Sequence, residues 1–406
     1  MCQFVKYIRS NPLTETGPLL LWLAVVVGVC SIQADSKSDQ IFDSNRLTRV
    51  EITLDAEDWR ALRISHRDRR DDEGNSKFSE KPYSYYKADV TINGKLFKKV
   101  GVRKKGFVGS SISTRPSLKI AFDQFKKKQS FHGLDMMTLN NNNQDPTQSQ
   151  QVLVYDFMNR VGAPAPRCGL AHVKVNGEDL GLYSNVESIR KPFIKRVLGR
   201  TGGTLYEGYA GDFTESGFER IVRKWGGDKK GKRLRELNEM FQGEKPLALG
   251  EVKQLIELKS FIRLWVAEVL VGHEDSYSGN RNNWYAYLDK KTKRFTFFPW
   301  GADWCFQVHP RYDGLEIPKS YRIRGVLCRR LWELPEVQRM YREEMMRQVS
   351  EFWDSGQMLS EVKKIIKLSR QYSTINAFWG KGVASRITDY IRHRKEEIEA
   401  ELRGPF

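Results

Sequence analysis

One segment constrains the fold more than any other: a polar loop, two short aromatic strands and a closing aspartate, which follow one another between Gly272 and Asp303. A helical pattern ends near Gly272, and the loop follows it. The patterns at Trp284–Leu288 and Arg294–Phe298 predict two strands joined by a turn at Asp289–Lys293. The order of helix, loop, hairpin and aspartate is much rarer by chance than any one of its parts.

The loop and the closing aspartate carry oxygen groups that suit magnesium-dependent phosphoryl transfer. Asp275 is followed five positions later by Asn280, and Asp303 closes the hairpin. Such a site needs a carboxylate that receives a hydroxyl proton and oxygen ligands that hold Mg²⁺ on the phosphates. Protein kinases carry these groups in the same order. We therefore predict that Asp275 is catalytic and that Asn280 and Asp303 are metal ligands; the alternative is that they cap helices or form turns.

A basic segment rich in glycine and serine lies upstream and suits the binding of phosphate. Arg103 and Lys105 precede a loop that contains Ser110. Small residues let backbone N–H groups approach a phosphate, and the cations neutralise it. Lys119 follows within a predicted strand, where kinases keep the lysine that pairs with nucleotide phosphates. The alternatives are an ordinary hairpin end and, for Lys119, a solubilising charge on an edge strand.

Strand patterns dominate the first half of the chain, and helical patterns dominate the second. Strands are predicted at Val50–Leu54, Tyr85–Arg103, Ser117–Phe122 and Ala171–Glu187, with Asn-Gly turns inside the second and fourth segments and a helix inserted at Ser149–Val161. One long helix is predicted at Glu251–Val271, and nearly everything beyond Leu331 reads as helical. We predict an α+β fold of the bilobal protein-kinase type, with a strand-rich lobe at residues 46–190 and a helical lobe at residues 191–406.

The N-terminus has the features of an export signal. Lys6 and Arg9 precede the uncharged run Pro18–Cys30, and small and polar residues follow as far as Ala34. The run is short for a membrane-spanning helix, which needs about 20 residues. Residues 1–34 are therefore predicted to be a signal peptide, followed by a linker at residues 35–45 and no transmembrane segment; an uncleaved anchor is the alternative. Both predict a secreted, cell-envelope or periplasmic protein.

Charge and cysteine content narrow the classes of partner and of covalent structure. The formal net charge is +18, which attracts acidic partners or belongs to an ordinary basic surface. The basic residues are spread along the chain without a nucleic-acid motif, so no nucleic-acid partner is expected. Cys168, Cys305 and Cys328 lie beyond the predicted signal peptide, and a Cys305–Cys328 disulfide is one candidate pairing.

Several longer blocks resemble the spore-coat CotH kinase family between about Thr48 and Arg394. The blocks are VRKKGFVGSS with SLKIAFD, LNNNNQDPTQSQQVLVYDFMNRVGAPAPRC, HVKVNGEDLGLYSNVE with KPFIKRVLG and GTLYEG, and HEDSYSGNRNNWYAYL with RFTFFPWGADWCF. Members are described as atypical, secreted or surface-associated protein kinases that transfer phosphate from ATP to serines of coat proteins. The resemblance implies an exported Ser/Thr kinase that uses ATP with Mg²⁺ or Mn²⁺ and acts on a protein substrate.

Two positions depart from the family pattern. Gly301 replaces the first acid of the Pro-Trp-Asp-Leu-Asp motif, and Gln150 and Gln151 stand where members often have Arg-Glu. A partner acid for Lys119 is therefore open, with Asp156 and Glu187 as candidates, and Glu187 is counted among the predicted nucleotide-binding residues. These departures keep a pseudokinase or a surface binding module as the alternative. A hydrolase fits poorly, since the chain has no G-x-S-x-G elbow.

Overall fold

The structure is a computed structural model that describes residues 37–66, 83–107, 109–307, 318–372 and 377–404. The predicted signal peptide, residues 1–34, lies outside these ranges. From Asp35 onward the chain forms one compact unit with its own hydrophobic cores.

A closed seven-stranded barrel forms the first half of the described chain. Its elements are β1 (Leu47–Leu54), α1 (Ala56–Ile64), β2 (Tyr86–Ile92), β3 (Lys95–Lys104), β4 (Leu118–Ala121), β5 (Met136–Asn140), α2 (Gln150–Arg160), β6 (Cys168–Val175) and β7 (Glu178–Glu187). The strands follow the order β1-β2-β3-β4-β5-β7-β6, and a parallel pairing of β1 with β6 closes the barrel. Buried and exposed residues alternate along β1, so one face of the strand points into the barrel core.

The two Asn-Gly hairpins are confirmed. Asn93 and Gly94 join β2 to β3, and Asn176 and Gly177 join β6 to β7, all with positive φ angles between 47° and 83°. A two-residue turn with two positive φ angles has the twist that the flanking strands require. The helix predicted at Ser149–Val161 is confirmed as α2.

A four-stranded sheet and a set of helices follow the barrel. Their elements are α3 (Lys191–Leu198), β8 (Thr204–Gly208), α4 (Glu215–Phe218), β9 (Ile221–Trp225), α5 (Lys232–Gln242), α6 (Leu249–Leu255), α7 (Leu258–Leu270), β10 (Trp284–Leu288), β11 (Phe295–Pro299), α8 (Val326–Trp332), α9 (Pro335–Glu351), α10 (Ser355–Tyr372) and α11 (Ala377–Glu401). The sheet has the order β11-β10-β8-β9. The hairpin predicted after the polar loop is confirmed as β10 and β11, whereas β8 and β9 were not predicted.

The single helix predicted at Glu251–Val271 is wrong, because the chain breaks it into α6 and α7. Ile256 has an extended backbone and forms a parallel bridge with Phe295 of β11. The N–H of Glu257 donates to the carbonyl of Phe295 at 2.9 Å. Pairing with the edge of the sheet therefore replaces the helical hydrogen bonds, although the apolar periodicity continues across the break.

Two hydrophobic cores fix the positions of the loops that follow. One fills the barrel, and the larger one packs α2 and α7 against the second sheet and the later helices. The three cysteines Cys168, Cys305 and Cys328 are buried free thiols, so the suggested Cys305–Cys328 disulfide does not form. Within the ranges given above, every helix is too short or too polar to cross a membrane.

Candidate active site

Three asparagine amides hold the carboxylate of Asp275, which lies in the loop between α7 and β10. The Nδ2 groups of Asn280, Asn282 and Asn283 donate to it at 3.0, 3.1 and 2.7 Å. Burial raises the pKa of Asp275, and the three donated hydrogen bonds oppose that rise. The loop therefore presents a carboxylate of fixed orientation in contact with Asn280, while the catalytic role of Asp275 and the metal-ligand role of Asn280 stay predictions.

Asp303 follows β11 and is buried, with only 7% of its surface exposed. Burial raises its pKa to about 6, and the nearby charge of Lys105 and a hydrogen bond from Asn140 Nδ2 at 3.1 Å lower it. The negative charge of Asp275 is close enough to raise it further. The structure thus brings Asp275 and Asp303 into one electrostatic environment together with Lys105.

Side chains of α2 and β5 hold the segment around Asp303. Asn140 Nδ2 also contacts Oε1 of Gln151 at 3.4 Å, so it bridges Gln151 and Asp303. The Oε1 atom of Gln150 accepts a hydrogen bond from the backbone N–H of Cys305 at 2.6 Å. The two glutamines that depart from the family pattern therefore support the loop that carries Asp303.

The three cations predicted to bind phosphate lie together on β3, on β4 and just beyond the end of β3. Arg103 stands opposite Lys119 in the β3–β4 pairing, and Lys105 comes directly after β3. Burial lowers the pKa of Lys119 well below its usual value, and the charges of Arg103 and Lys105 lower it further. Burial also lowers the pKa of Lys105, to about 8, against the opposing effect of Asp303. Crowded, partly desolvated cations of this kind gain from an anionic ligand.

The two acids suggested as partners of Lys119 form other ion pairs. Asp156 pairs with Arg160 at 2.8 Å. Glu187 pairs with Arg167 at 2.7 Å and with Arg196 at 2.6 Å. The suggested pairing of Lys119 with Asp156 or Glu187 is therefore wrong. The role of Glu187 in nucleotide binding stays a prediction.

Glu207 was not among the predicted site residues, but its negative charge acts on Lys119 and, together with that of Asp303, on Lys105. Glu207 lies on β8, accepts a hydrogen bond from the hydroxyl of Tyr285 at 2.6 Å, and pairs with Lys224 at 2.7 Å. Burial raises its pKa, but Lys224 and Tyr285 outweigh burial and the net pKa is lowered. A glutamate within an otherwise apolar strand was the available signal, but β8 itself was not predicted.

The loop after Lys105 is folded tightly around Ser110. Gly106 has a φ of +92°, and a Cβ there would lie 2.3 Å from Cβ of Ser110. The carbonyl of Ser110 accepts a hydrogen bond from the N–H of Ser117 at 2.8 Å. The tight fold explains the glycine at 106, while the binding of phosphate by Ser110 stays a prediction.

Gly301 departs from the family pattern for a steric reason. Its φ is +58°, and a Cβ at this position would lie 2.6 Å from the amide group of Asn283. Its carbonyl accepts a hydrogen bond from Nε2 of His273 at 3.2 Å. Burial lowers the pKa of His273 to about 4, so the ring is neutral at neutral pH and donates from Nε2. Asn283 thus fills the space that an acid at position 301 would need.

Restoring the family's acid should therefore destabilise this protein. We expect Gly301→Asp to lower the free energy of unfolding by about 1–3 kcal/mol, because it combines an unfavourable φ with a clash. Adding Asn283→Gly should restore part of the lost stability, because it removes the amide group with which the new side chain clashes. Glycine also tolerates the φ of +49° at position 283. Urea denaturation measures both effects. Gly227→Asp is the control, because a Cβ there meets no atom within 4 Å; equal stability of the Gly301 and Gly227 variants would contradict the steric explanation.

The oxygen donors at this site fit magnesium. The parts of the chain that the structure describes contain no group of three or more His, Cys, Asp or Glu side chains that could hold a metal ion. Asn280 and Asp303 would supply a carbonyl and a carboxylate oxygen. Mg²⁺ prefers such ligands and is commonly held by one or two carboxylates together with substrate phosphates and water. The chemistry of these two donors therefore fits magnesium.

The comparisons with known proteins assign the chain to a family. A model of the family described as "CotH kinase protein" matches residues 102–400, which is more than half of the chain. The chain belongs to the CotH kinase family. The matched range contains Arg103, Lys119, Asp275 and Asp303, so the CotH assignment covers the candidate site.

One curated protein and one solved structure are similar to this CotH family member. The chain is 22% identical over 301 residues to "Inner spore coat protein H" of Bacillus subtilis (strain 168), which covers 68% of this chain and 81% of that protein. The crystal structure of a Helicobacter pylori proinflammatory kinase, CtkA, is 10% identical and covers 70% of this chain and 93% of the other, with a TM-score of 0.33. The second likeness is too weak to support a statement about fold or function.

Proposed function

We propose that this CotH family protein transfers the γ-phosphoryl group of ATP to a serine or threonine hydroxyl of a protein substrate. The arrangement around Asp275 supports this proposal best. A carboxylate held by three amides shares an electrostatic environment with a second carboxylate, Asp303, and with the cation Lys105. Phosphoryl transfer depends mainly on positioning and on electrostatic stabilisation, which are the two properties this arrangement offers.

The residues take distinct roles in the proposed reaction. Asp275 accepts the proton of the acceptor hydroxyl, and the three amides keep its carboxylate pointed at that position. Asn280 and Asp303 would hold Mg²⁺, which when bound neutralises phosphate charge. Lys119 and Lys105 bind phosphate oxygens, because their desolvation is relieved by a dianionic ligand.

The proposed fold rests on where the charged residues lie, and the proposed location rests on the named relative and on the predicted signal peptide. The barrel carries the cations, and the segment after it carries Asp275 and Asp303, so we infer a bilobal kinase fold with the nucleotide between residues 46–190 and 191–406. The named relative is a spore coat protein, and the predicted signal peptide fits a substrate outside the cytoplasm. We therefore propose an extracellular or coat-associated protein substrate.

Thermal unfolding with and without ATP and Mg²⁺ tests the proposed nucleotide site. A ligand that binds only the folded state at about one hundred times its dissociation constant adds about 2.7 kcal/mol of stability. We expect ATP with Mg²⁺ to raise the melting temperature and ATP without the metal to raise it less. An unchanged melting temperature at saturating concentrations would contradict a nucleotide site.

Glu207 should affect nucleotide affinity although it is not expected to touch the nucleotide. We expect Glu207→Gln to weaken ATP binding by roughly tenfold, the effect of losing an interaction worth about 1.5 kcal/mol. The lost negative charge lowers the pKa of Lys119 and leaves the lysine less positive. ATP titrations over a range of pH measure this, with Glu178→Gln as the control, because Glu178 pairs with Arg63 and Trp59 among the residues that the structure describes. Identical affinities for the two variants would contradict the assigned role.

The pKa of Asp303 should set the pH dependence of metal-dependent ATP binding. A carboxyl group with a pKa of about 6 is protonated at lower pH and then cannot bind Mg²⁺. Affinity should therefore fall by about tenfold per pH unit below pH 6. Lys105→Gln removes a charge that lowers this pKa, so the midpoint should move to higher pH. The same midpoint in the wild type and in Lys105→Gln would argue against Asp303 as the group that sets the pH dependence.

A second candidate function is a nucleotide-binding module without turnover, and the motivation for it is the residue at position 301. One acid of the family motif is absent, and its space is filled by Asn283. Such a module would bind ATP with Mg²⁺ but would transfer no phosphate. Measuring both ATP binding and phosphate transfer with the same protein separates the two functions.

A further inference from the structure

The end of the barrel that carries the β2–β3 turn has a dense group of lysines. Six exposed lysines lie at the start of β3 and in the connection between β4 and β5: Lys95, Lys98, Lys99, Lys126, Lys127 and Lys128. Gln129 Nε2 donates to the carbonyl of Lys98 at 3.1 Å, which holds the two segments side by side. In the sequence, residues 92–99 and 122–131 contain Asp123 as their single acid. Asp89 also accepts a hydrogen bond from the backbone N–H of Lys99 at 2.9 Å, so six lysines face two acids and this end of the barrel is positive overall.

Two large apolar side chains are exposed among these lysines. Leu96 is 51% exposed and Phe125 is 45% exposed, and they are two of the four large hydrophobic side chains that the described chain exposes. Their neighbour Phe97 is buried against Phe122 and Phe131, with ring centroids 5.2 and 5.4 Å away. The six lysines together with Leu96 and Phe125 are called the barrel-end patch below.

A cation-lined cavity opens beside the barrel-end patch. Its volume is about 240 Å³, and its charged or titratable lining residues are Lys37, Arg46, Lys95 and His132. No carboxylate lines the cavity within the described ranges, although Arg46 pairs with Asp43 at 3.4 Å. Burial lowers the pKa of His132, and the charges of Lys95 and Lys37, which line the same cavity, lower it further. The cavity has the size and the charge to take up a phosphate group.

We propose that the barrel-end patch docks on a bilayer surface that contains anionic phospholipids. The lysines face the lipid phosphates, Leu96 and Phe125 enter the interface, and one headgroup phosphate enters the cavity. Basic side chains combined with exposed apolar ones are the features by which proteins bind such surfaces. An acidic polymer would use the lysines but would gain nothing from exposed Leu96 and Phe125, so the lipid surface is the better match.

The position of the barrel-end patch keeps the proposed active site accessible. Strand β3 runs from Lys95 in the patch to Lys104 beside the candidate site, a distance of roughly 30 Å at about 3.4 Å per residue. A protein docked through the patch therefore holds Lys105 and Asp275 away from the bilayer. The proposed docking does not depend on phosphoryl transfer.

Sedimentation with vesicles tests the docking. The protein used is the compact unit from Asp35 onward, so the apolar run in the first 34 residues cannot contribute to binding. Vesicles of phosphatidylcholine alone are compared with vesicles in which about one third of the lipid is phosphatidylglycerol. We expect binding to the anionic vesicles alone, and weaker binding as salt is added.

Two sets of variants make the test specific. One variant carries the triple change Lys126→Gln, Lys127→Gln and Lys128→Gln. Its vesicle binding should be weaker on the order of one hundredfold, because each lysine near an anionic surface contributes about tenfold or less. The matched control changes the exposed Lys229, Lys230 and Lys232 to Gln and should bind like the wild type. All variants should retain the wild-type melting temperature, because every changed side chain is exposed.

The apolar residues separate a lipid surface from a general polyanion site. The double change Leu96→Ser and Phe125→Ser should weaken vesicle binding several-fold, while binding to heparin should not change. Equal vesicle binding by the double variant and the wild type would overturn the proposal in favour of a polyanion site. Equal losses for the two lysine triples, or no vesicle binding by the wild type, would also overturn it.

Discussion

Replacing Asp303 with asparagine should reduce phosphate transfer by on the order of 1,000-fold or more, because the metal ligand supplies several kcal/mol of charge stabilisation and each 1.4 kcal/mol is a tenfold change in rate. Asparagine has nearly the same shape, so the contact with Asn140 and the fold of the loop should survive. The loss should therefore appear in metal-dependent ATP binding as well as in the rate. The initial rate of transfer and the Mg²⁺-dependent shift in melting temperature measure these two effects.

A surface aspartate provides the control for Asp303→Asn. Asp156 is largely exposed and pairs with Arg160, so Asp156→Asn removes the same charge without disturbing the site. The control should retain the wild-type rate and ATP affinity. Full activity of Asp303→Asn would show that this carboxylate does not hold the metal.

Asp275→Asn should give a different pattern, in which turnover is lost and nucleotide binding is kept. A general base typically contributes a factor of about 10² to 10⁴, so the rate should fall by that amount. ATP affinity should change little, because Asp275 faces the acceptor hydroxyl and not the nucleotide in the proposed site. Rapid-quench measurement of a single turnover, combined with ATP titration, resolves the two quantities.

The three asparagine donors should make the Asp275→Asn protein less stable than the wild type. Asn280, Asn282 and Asn283 would face an amide that accepts through one atom only. We expect a lower melting temperature, so the rate is compared at a temperature where both proteins are folded. A folded Asp275→Asn protein with the wild-type rate would remove Asp275 from the mechanism.

Local sequence signals predicted those parts of the fold and of the site that depend on residues close together in the chain. The Asn93-Gly94 turn fixes its hairpin because both residues tolerate positive φ. Asp275 and Asn280 lie in one loop, so their contact follows from their spacing. The hairpin that leads to Asp303 has a pattern of its own, and it formed as predicted.

Contacts between distant segments could not be predicted in this way. Glu207 reaches the neighbourhood of Lys119 because β8 pairs with β10 and faces the cations of the barrel. The break at Ile256 depends on Phe295, which lies 39 positions later in the sequence. Neither contact leaves a periodic signal, because both are set by tertiary packing that overrides local propensity.

The most direct test of the central claim follows the label from ATP that carries radioactive phosphorus at one defined position. The protein from Asp35 onward is incubated with a serine-rich acceptor protein, Mg²⁺ and ATP labelled at either the γ- or the α-phosphate. We predict that label from the γ-position appears on acceptor serines and that label from the α-position does not. Transfer from the α-position, or no transfer from the γ-position by protein that binds ATP, would contradict a kinase.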